Sequence, residues 1–217
     1  MRYGQLIVPV TGLLILLAHA PADAGPDAPP QTAAPEAIPD DRLGVRTAPL
    51  LLLSRTDVQT DLGLTPKQIA DVRTEITRLH AQALATKGMK GAQAVAARKA
   101  IDVASQTWID SNLTADQVTR LVQISLQWEG PSALITRPVV ADTLGLTADQ
   151  RAALTKAVKE RDAARALPTH SKADERKLAE QALSLLDATQ KERWKTMLGR
   201  PFTPRLASQA QDNKAAR

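Results

Sequence analysis

A chain of 217 residues with a formal net charge of +5 is long enough for one ordinary domain, or for two small ones that share a core. Hydrophobic residues reach 43% but aromatics only 2%, so a core must be built from Leu, Val, Ile and much Ala, which favours close helix packing over deep aromatic pockets. The charge excess is too small for a nucleic-acid-binding signature, and with no cysteine the chain has neither disulfides nor a site for a lipid-modified thiol.

The first 24 residues read as a signal peptide. Arg2 supplies positive charge, Leu6 to Ala18 is an apolar run broken by Pro9, and Ala22, Asp23 and Ala24 present small residues around a cleavage site. A cut after Ala20 would place Pro21 just beyond the scissile bond, so cleavage is expected after Ala24. An uncleaved anchor is the alternative, weakened because the apolar run falls short of the ~20 residues of a bilayer span. The expected location is therefore the periplasm or the exterior. The net charge survives cleavage, because Arg2 and Asp23 leave together.

Residues 25–47 hold Pro26, Pro29, Pro30, Pro35 and Pro39 among Ala and Asp, a composition expected to stay an extended, disordered linker. Beyond it lies an internal repeat. The phrase "VQTDLGLTPKQ" from Val58 aligns with "VADTLGLTADQ" from Val140, and "NLTADQVTRLVQ" from Asn112 aligns with "LLDATQKERWKT" from Leu185. The expected fold class is all-α: tandem duplicated helical-hairpin units at 48–132 and 133–202, packed as one domain, with about six main helices plus short leading helices. The second unit reads as a shortened copy, and residues 203–217 as a disordered basic tail.

Within the first unit, Ser54 is placed to cap a short leading helix ending at Gly63. Ile69, Val72, Ile76, Leu79 and Ala83 then recur at three- and four-residue steps and mark one buried face. Gly88 and Gly91 break that helix. The return helix is expected to bury Val95, Ile101, Ala104 and Trp108, and the closing one Val118, Leu121, Val122 and Ile124 before Gly130 and Pro131 end it. In the second unit Leu154, Ala157 and Val158 are the expected core of the opening helix, which Pro168 ends. Ser171 with Asp174 is placed to cap the return helix, and Trp194, Met197 and Leu198 lead to a stop at Gly199.

The repeated phrase has a local explanation. In "LTPKQ" the Thr65 hydroxyl can accept a first-turn N–H, Pro66 sits where its missing donor is harmless, and Gln68 can reach back to the Thr65 N–H, forming a capping box. Thr114 with Gln117, Thr147 with Gln150, and Asp187 with Gln190 repeat the arrangement, each cap being worth about 1 kcal/mol. Leu64 facing Ile69 and Leu113 facing Val118 complete a hydrophobic staple, whereas Arg151 and Lys191 occupy the partner position in the other two copies. These residues are expected to set helix geometry rather than touch a ligand.

Three copies of Leu-Thr-x-x-Gln (Leu64, Thr65, Gln68; Leu113, Thr114, Gln117; Leu146, Thr147, Gln150) and a fourth with Asp187 in place of Thr follow an export signal in a cysteine-free helical chain. In this the sequence resembles the LTxxQ-motif proteins of the bacterial envelope, the Spy/CpxP-like periplasmic family, as a duplicated, divergent member. The resemblance implies long helices in hairpins, stress-linked roles in the periplasm and, for some members, ATP-independent binding of unfolded proteins. Members typically carry two motifs and form a dimeric cradle. Four motifs in one chain imply a monomeric pseudo-dimer in preference to a homodimer, and the hairpins are short.

The chemistry-bearing residues are sparse. His80 and His170 fall in different units with no cysteine to join them, so neither a metal site nor any cofactor is expected. Asp71, Glu75, Asp162 and Glu175 fall on polar faces and read as solvated charges, no nucleotide or hydrolase motif is present, and the chain is expected not to be an enzyme. Trp108, Trp128 and Trp194 read as core anchors before any client surface. One charge feature stands out. From Arg78 to Ile101 there is no acidic residue, and Arg78, Lys87, Lys90, Arg98 and Lys99 gather around the first hairpin's tip, a candidate partner-binding element for an anionic surface or acidic polypeptide. The expected function is a non-catalytic, exported binding protein with chaperone-like capture of unfolded or envelope proteins. The alternatives are a structural or signalling partner of one folded envelope protein and, less favoured, a metal-responsive sensor.

Overall fold

In the computed structural model, which describes residues 44, 46–165 and 172–205, every regular element among the described residues is helical. The expected signal peptide (1–24), residues 25–43 and 45 of the expected linker, Pro168, His170, Ser171 and the chain from 206 onward lie outside the described residues. The chain divides into two compact units, and among the described residues these comprise 48–118 and, in the second, 44 and 46–47 with 119–205. The division falls after Val118, within the helix expected to close the first unit, rather than after Ser132.

The first unit opens with α1 (Pro49–Leu52) and α2 (Thr56–Asp61), followed by α3 (Pro66–Ala85) and α4 (Gly91–Asn112). Ser54 does not cap α2. Its hydroxyl donates back to the Leu51 carbonyl at 2.7 Å, and the α2 N-cap is Arg55, whose side chain is engaged by Asp57 at 2.8 and 3.0 Å. Leu50, Leu52, Leu53, Val58 and Leu62 are buried, and α1 lies beside both α3 and α4. On α3 the stripe Val72, Ile76 and Leu79 is buried as the periodicity requires, with Ile69 and Ala83 half-buried. On α4 the expectation is corrected. Ala94 and Ile109 are its buried residues, Ile101, Ala104 and Trp108 are half-buried, and Val95 is 62% exposed. A helix so rich in alanine offers similar packing over a wide arc, so a modest axial rotation costs little.

Helix α5 (Ala115–Glu129) begins in the first unit and continues in the second, ending where Gly130 adopts φ 63° in a 3-10 turn (Gly130–Ser132). The second unit then runs through α6 (Ala133–Thr136), α7 (Pro138–Leu144), α8 (Ala148–Arg165), α9 (Lys172–Ser184) and α10 (Ala188–Leu198). Its core joins Leu126, Ala133, Leu134, Val140, Ala141, Leu144, Leu154, Ala182, Leu186 and Trp194, with Met197 and Leu198 packed against it. Leu121 and Ile124 of α5 are buried, whereas Val122, expected inside, is 46% exposed. Gly145 ends α7 in the left-handed conformation (φ 65°, ψ 39°), which only a residue without Cβ adopts readily.

A buried polar lock closes the turn after α5. Glu129 has no exposed surface, its carboxylate accepts from Arg137 Nε at 2.6 Å and from the Thr136 hydroxyl, and Arg46 Nη1 donates to the Thr136 carbonyl at 2.6 Å. The Gly44 N–H donates to the Trp128 carbonyl at 2.7 Å. Gly44 and Arg46, expected to be part of a disordered spacer, are thus held by hydrogen bonds to the turn after α5.

Candidate functional site

The hairpin of α3 and α4 carries all five basic residues of the expected tip. Lys87 and Lys90 sit in the connection itself. Arg78 lies about 10 Å back along α3, and Arg98 and Lys99 a similar distance along α4, by the helical rise of ~1.5 Å per residue, so the charge extends from the apex back along both helices. All five are exposed, but Arg78 is not an open cation. Its guanidinium pairs with buried Glu75 at 2.6 and 2.8 Å, and this hydrogen-bonded carboxylate raises an already high pKa. Glu75 is therefore not the solvated charge expected from its place on the sequence. Lys87, Lys90, Arg98 and Lys99 form no ion pair among the described residues.

The same hairpin exposes Leu84 (53%), Val95 (62%) and Val103 (56%). Val95, Lys99 and Val103 recur every four residues, so they occupy one side of α4. Trp128 and Trp194 are buried, and Trp108 is half-buried on α4. Asp71 pairs with Lys67 at 2.6 Å and Asp162 with Arg161 at 2.6 Å, while the Glu175 side chain lies outside the described residues. His80 is half-buried, and no group of three metal-ligating side chains gathers among the described residues. An open trough of about 600 Å³ between α7 and α10 is walled by Thr143, Ala188, Thr196 and Met197, with Glu192 and Arg193 exposed at its side.

The four caps form as local chemistry dictates, and they also meet in pairs. Gln68 and Gln117 exchange amide hydrogen bonds, Nε2 of Gln68 to Oε1 of Gln117 at 2.9 Å and the reverse at 3.3 Å. Gln150 and Gln190 do the same at 2.7 and 3.0 Å. Each Oε1 also accepts its own cap N–H, from Thr65, Thr114, Thr147 or Asp187, in every case at 3.0 Å. Each remaining amide hydrogen goes to a carbonyl just before the opposite cap. Gln68 reaches Asn112 and Gln150 reaches Leu185, both at 3.0 Å, while the return bonds from Gln117 to Leu62 and Gln190 to Gly145 are longer, 3.4 and 3.5 Å. Two donors and two acceptor lone pairs per amide are all used. Arg151, lacking a staple, bonds the Leu146 carbonyl at 3.1 Å and Asp142 at 2.8 Å.

The sequence reading missed one arrangement altogether. Along one edge of α5, Arg120 and Gln127 hold the segment that follows α10, and Gln123 Oε1 accepts from Arg120 at 3.2 Å. Gln127 Nε2 donates to the carbonyls of Leu198 (2.6 Å) and Arg200 (2.8 Å), and its Oε1 accepts from the Phe202 N–H at 2.6 Å. Arg120 donates to the carbonyls of Arg200 at 2.6 Å and Pro201 at 3.4 Å. No sequence signal set these residues apart, because α5 also carries Asp116, Gln117, Thr119, Ser125 and Glu129. Compared with protein-family models, with curated proteins and with solved structures, the chain matches none of them.

Proposed function

We propose that this is an exported, non-catalytic binding protein of the bacterial periplasm that captures partly unfolded envelope polypeptides, a divergent and duplicated relative of the Spy/CpxP-like proteins. The observation that carries this reading is the pairing, on one hairpin, of exposed Leu84, Val95 and Val103 with the exposed cations Lys87, Lys90, Arg98 and Lys99. Exposed β-branched residues in a helix add nothing to its stability, and apolar side chains among cations suit polypeptides that are apolar and acidic in part. Equimolar protein is expected to suppress aggregation of a chemically reduced model substrate, and the Val95→Asp/Val103→Asp variant to lose most of that effect. Unchanged aggregation with the wild-type chain sinks the reading. Recovery of one stoichiometric folded partner from envelope extracts would instead favour a dedicated structural or signalling role.

The four caps, closed as one glutamine pair within each unit, support a second element of the proposal, that one polypeptide supplies both halves of the duplicated architecture. Light scattering is then expected to give a monomer, and an obligate dimer refutes it.

A further inference from the structure

The outward face of α4 lacks the polar residues that a solvent-facing helix normally carries. Val95, Lys99 and Val103 form one exposed row, and Ala92, Ala96 and Ala100 form the row beside it, all six of them exposed. From Ala92 to Val103 the patch runs about 16 Å, roughly three turns, at the helical rise. Two features select what covers it. The main chain of α4 is bonded within the helix, so an extended segment laid on this face would gain no main-chain bonds. A helix brings its own main chain already satisfied, and the alanine row leaves a shallow channel where a second helix axis can come within about 8 Å. The other feature is charge. Lys99 stands between the two valines without an ion pair among the described residues, Arg98 is exposed beside it, and no acidic residue occurs from Ile76 to Ile101. A carboxylate on the occupant would pair with Lys99, whereas two copies packed face to face would bring their cations together. Alanine, valine and lysine also supply none of the Trp, Phe or Leu that seats a helix in a bilayer surface.

We propose that the outer face of α4 is a docking site for an amphipathic helix of the captured polypeptide, one whose apolar stripe carries a carboxylate near its middle. The inference rests on the capture reading above and adds the conformation and charge of the segment that is held. Partly unfolded chains retain such nascent helices, so the site requires no folded partner.

The test uses the full chain and a fluorescein-labelled peptide of about four turns, with leucines at helical spacing and one glutamate among them, followed by fluorescence anisotropy. Lys99→Glu is expected to weaken binding about tenfold, as attraction across an exposed pair turns to repulsion. A peptide with lysine in place of its glutamate is expected to reverse the order and bind Lys99→Glu the more tightly. Lys99 is exposed and outside the core, so the variant keeps the fold. A third peptide with proline at its centre cannot form the helix and is expected to bind at least about tenfold more weakly than the first. Equal binding of the proline peptide overturns the helical occupant. The same peptide ranking on wild type and Lys99→Glu overturns the α4 face. A dimer that Val95→Asp dissolves assigns the face to a second copy, and co-sedimentation with phosphatidylglycerol vesicles that Val95→Asp abolishes assigns it to a membrane; either overturns the site. Wild type that suppresses aggregation of a reduced model substrate but binds no peptide overturns the site and leaves the capture reading standing. Wild type that does neither overturns both.

Discussion

Arg137→Ala is expected to destabilise the second unit by about 3–5 kcal/mol, the cost of leaving a buried carboxylate without its cation. Glu129 has no exposed surface and Arg137 retains only 16% of its side-chain exposure, so water cannot replace the guanidinium. The Thr136 hydroxyl still donates to Glu129, but one neutral donor does not offset a desolvated charge. The loss should spread along the lock, because Thr136 also accepts from Arg46 through its carbonyl and caps no helix of its own. Glu129→Leu combined with Arg137→Met is the control. Removing both charges and refilling the volume is expected to restore most of the lost stability, or to exceed it. Chemical denaturation of the three proteins, read by the buried Trp128 beside the lock, tests the claim. A loss below about 1 kcal/mol for Arg137→Ala would mean that water reaches Glu129.

How much of this was legible in the sequence depends on how far apart the interacting groups lie. Capping is decided within four residues, so Thr65, Pro66 and Gln68 announced a helix start, and the structure places the Gln68 N–H on the Thr65 hydroxyl at 3.2 Å. The α3 stripe was equally plain, since Val72, Ile76 and Leu79 contrast with polar neighbours at Arg73, Thr74 and Thr77. On α4 the contrast is poor: Ala92, Ala94, Ala96, Ala97, Ala100 and Ala104 surround the helix, and the burial of Ala94 rather than Val95 is a rotation that periodicity cannot resolve. Gly44 and Arg46 were read as spacer from the prolines before them, while their partners, Trp128, Ser132 and Thr136, lie more than 80 residues on. The α5 edge was hidden for the same reason. Composition marks Gln127 as polar, but only the fold brings Phe202 to it.

The glutamine pairs are the most instructive case, because a clue was present. Glutamate serves a capping box as well as glutamine does, and a carboxylate in the first turn gains from the helix dipole, yet all four copies carry Gln. Only an amide can accept the cap N–H, accept from its partner, and still donate twice. Gln190→Ala is accordingly expected to cost about 3 kcal/mol, more than the ~1 kcal/mol of a lost cap, since it also strips Gln150 of a partner in a buried setting. Gln190→Glu separates the two roles. It preserves the cap but turns both donors into acceptors facing Gly145 O and Gln150 Oε1, so at neutral pH it should destabilise about as much as alanine. The introduced carboxyl is disfavoured as an anion by burial and by those two oxygens, so its folded pKa lies above its unfolded one. The stability it retains is then fully present below the unfolded carboxyl pKa, where the protonated group donates once, and is lost as pH rises through the folded pKa. Denaturation of Gln190→Glu from pH 4 to pH 8 should therefore show stability relative to wild type falling with pH, whereas the deficit of Gln190→Ala should not vary. A double-mutant cycle between Gln150→Ala and Gln190→Ala measures the pair itself, and a coupling energy near zero would reduce the four glutamines to independent helix caps.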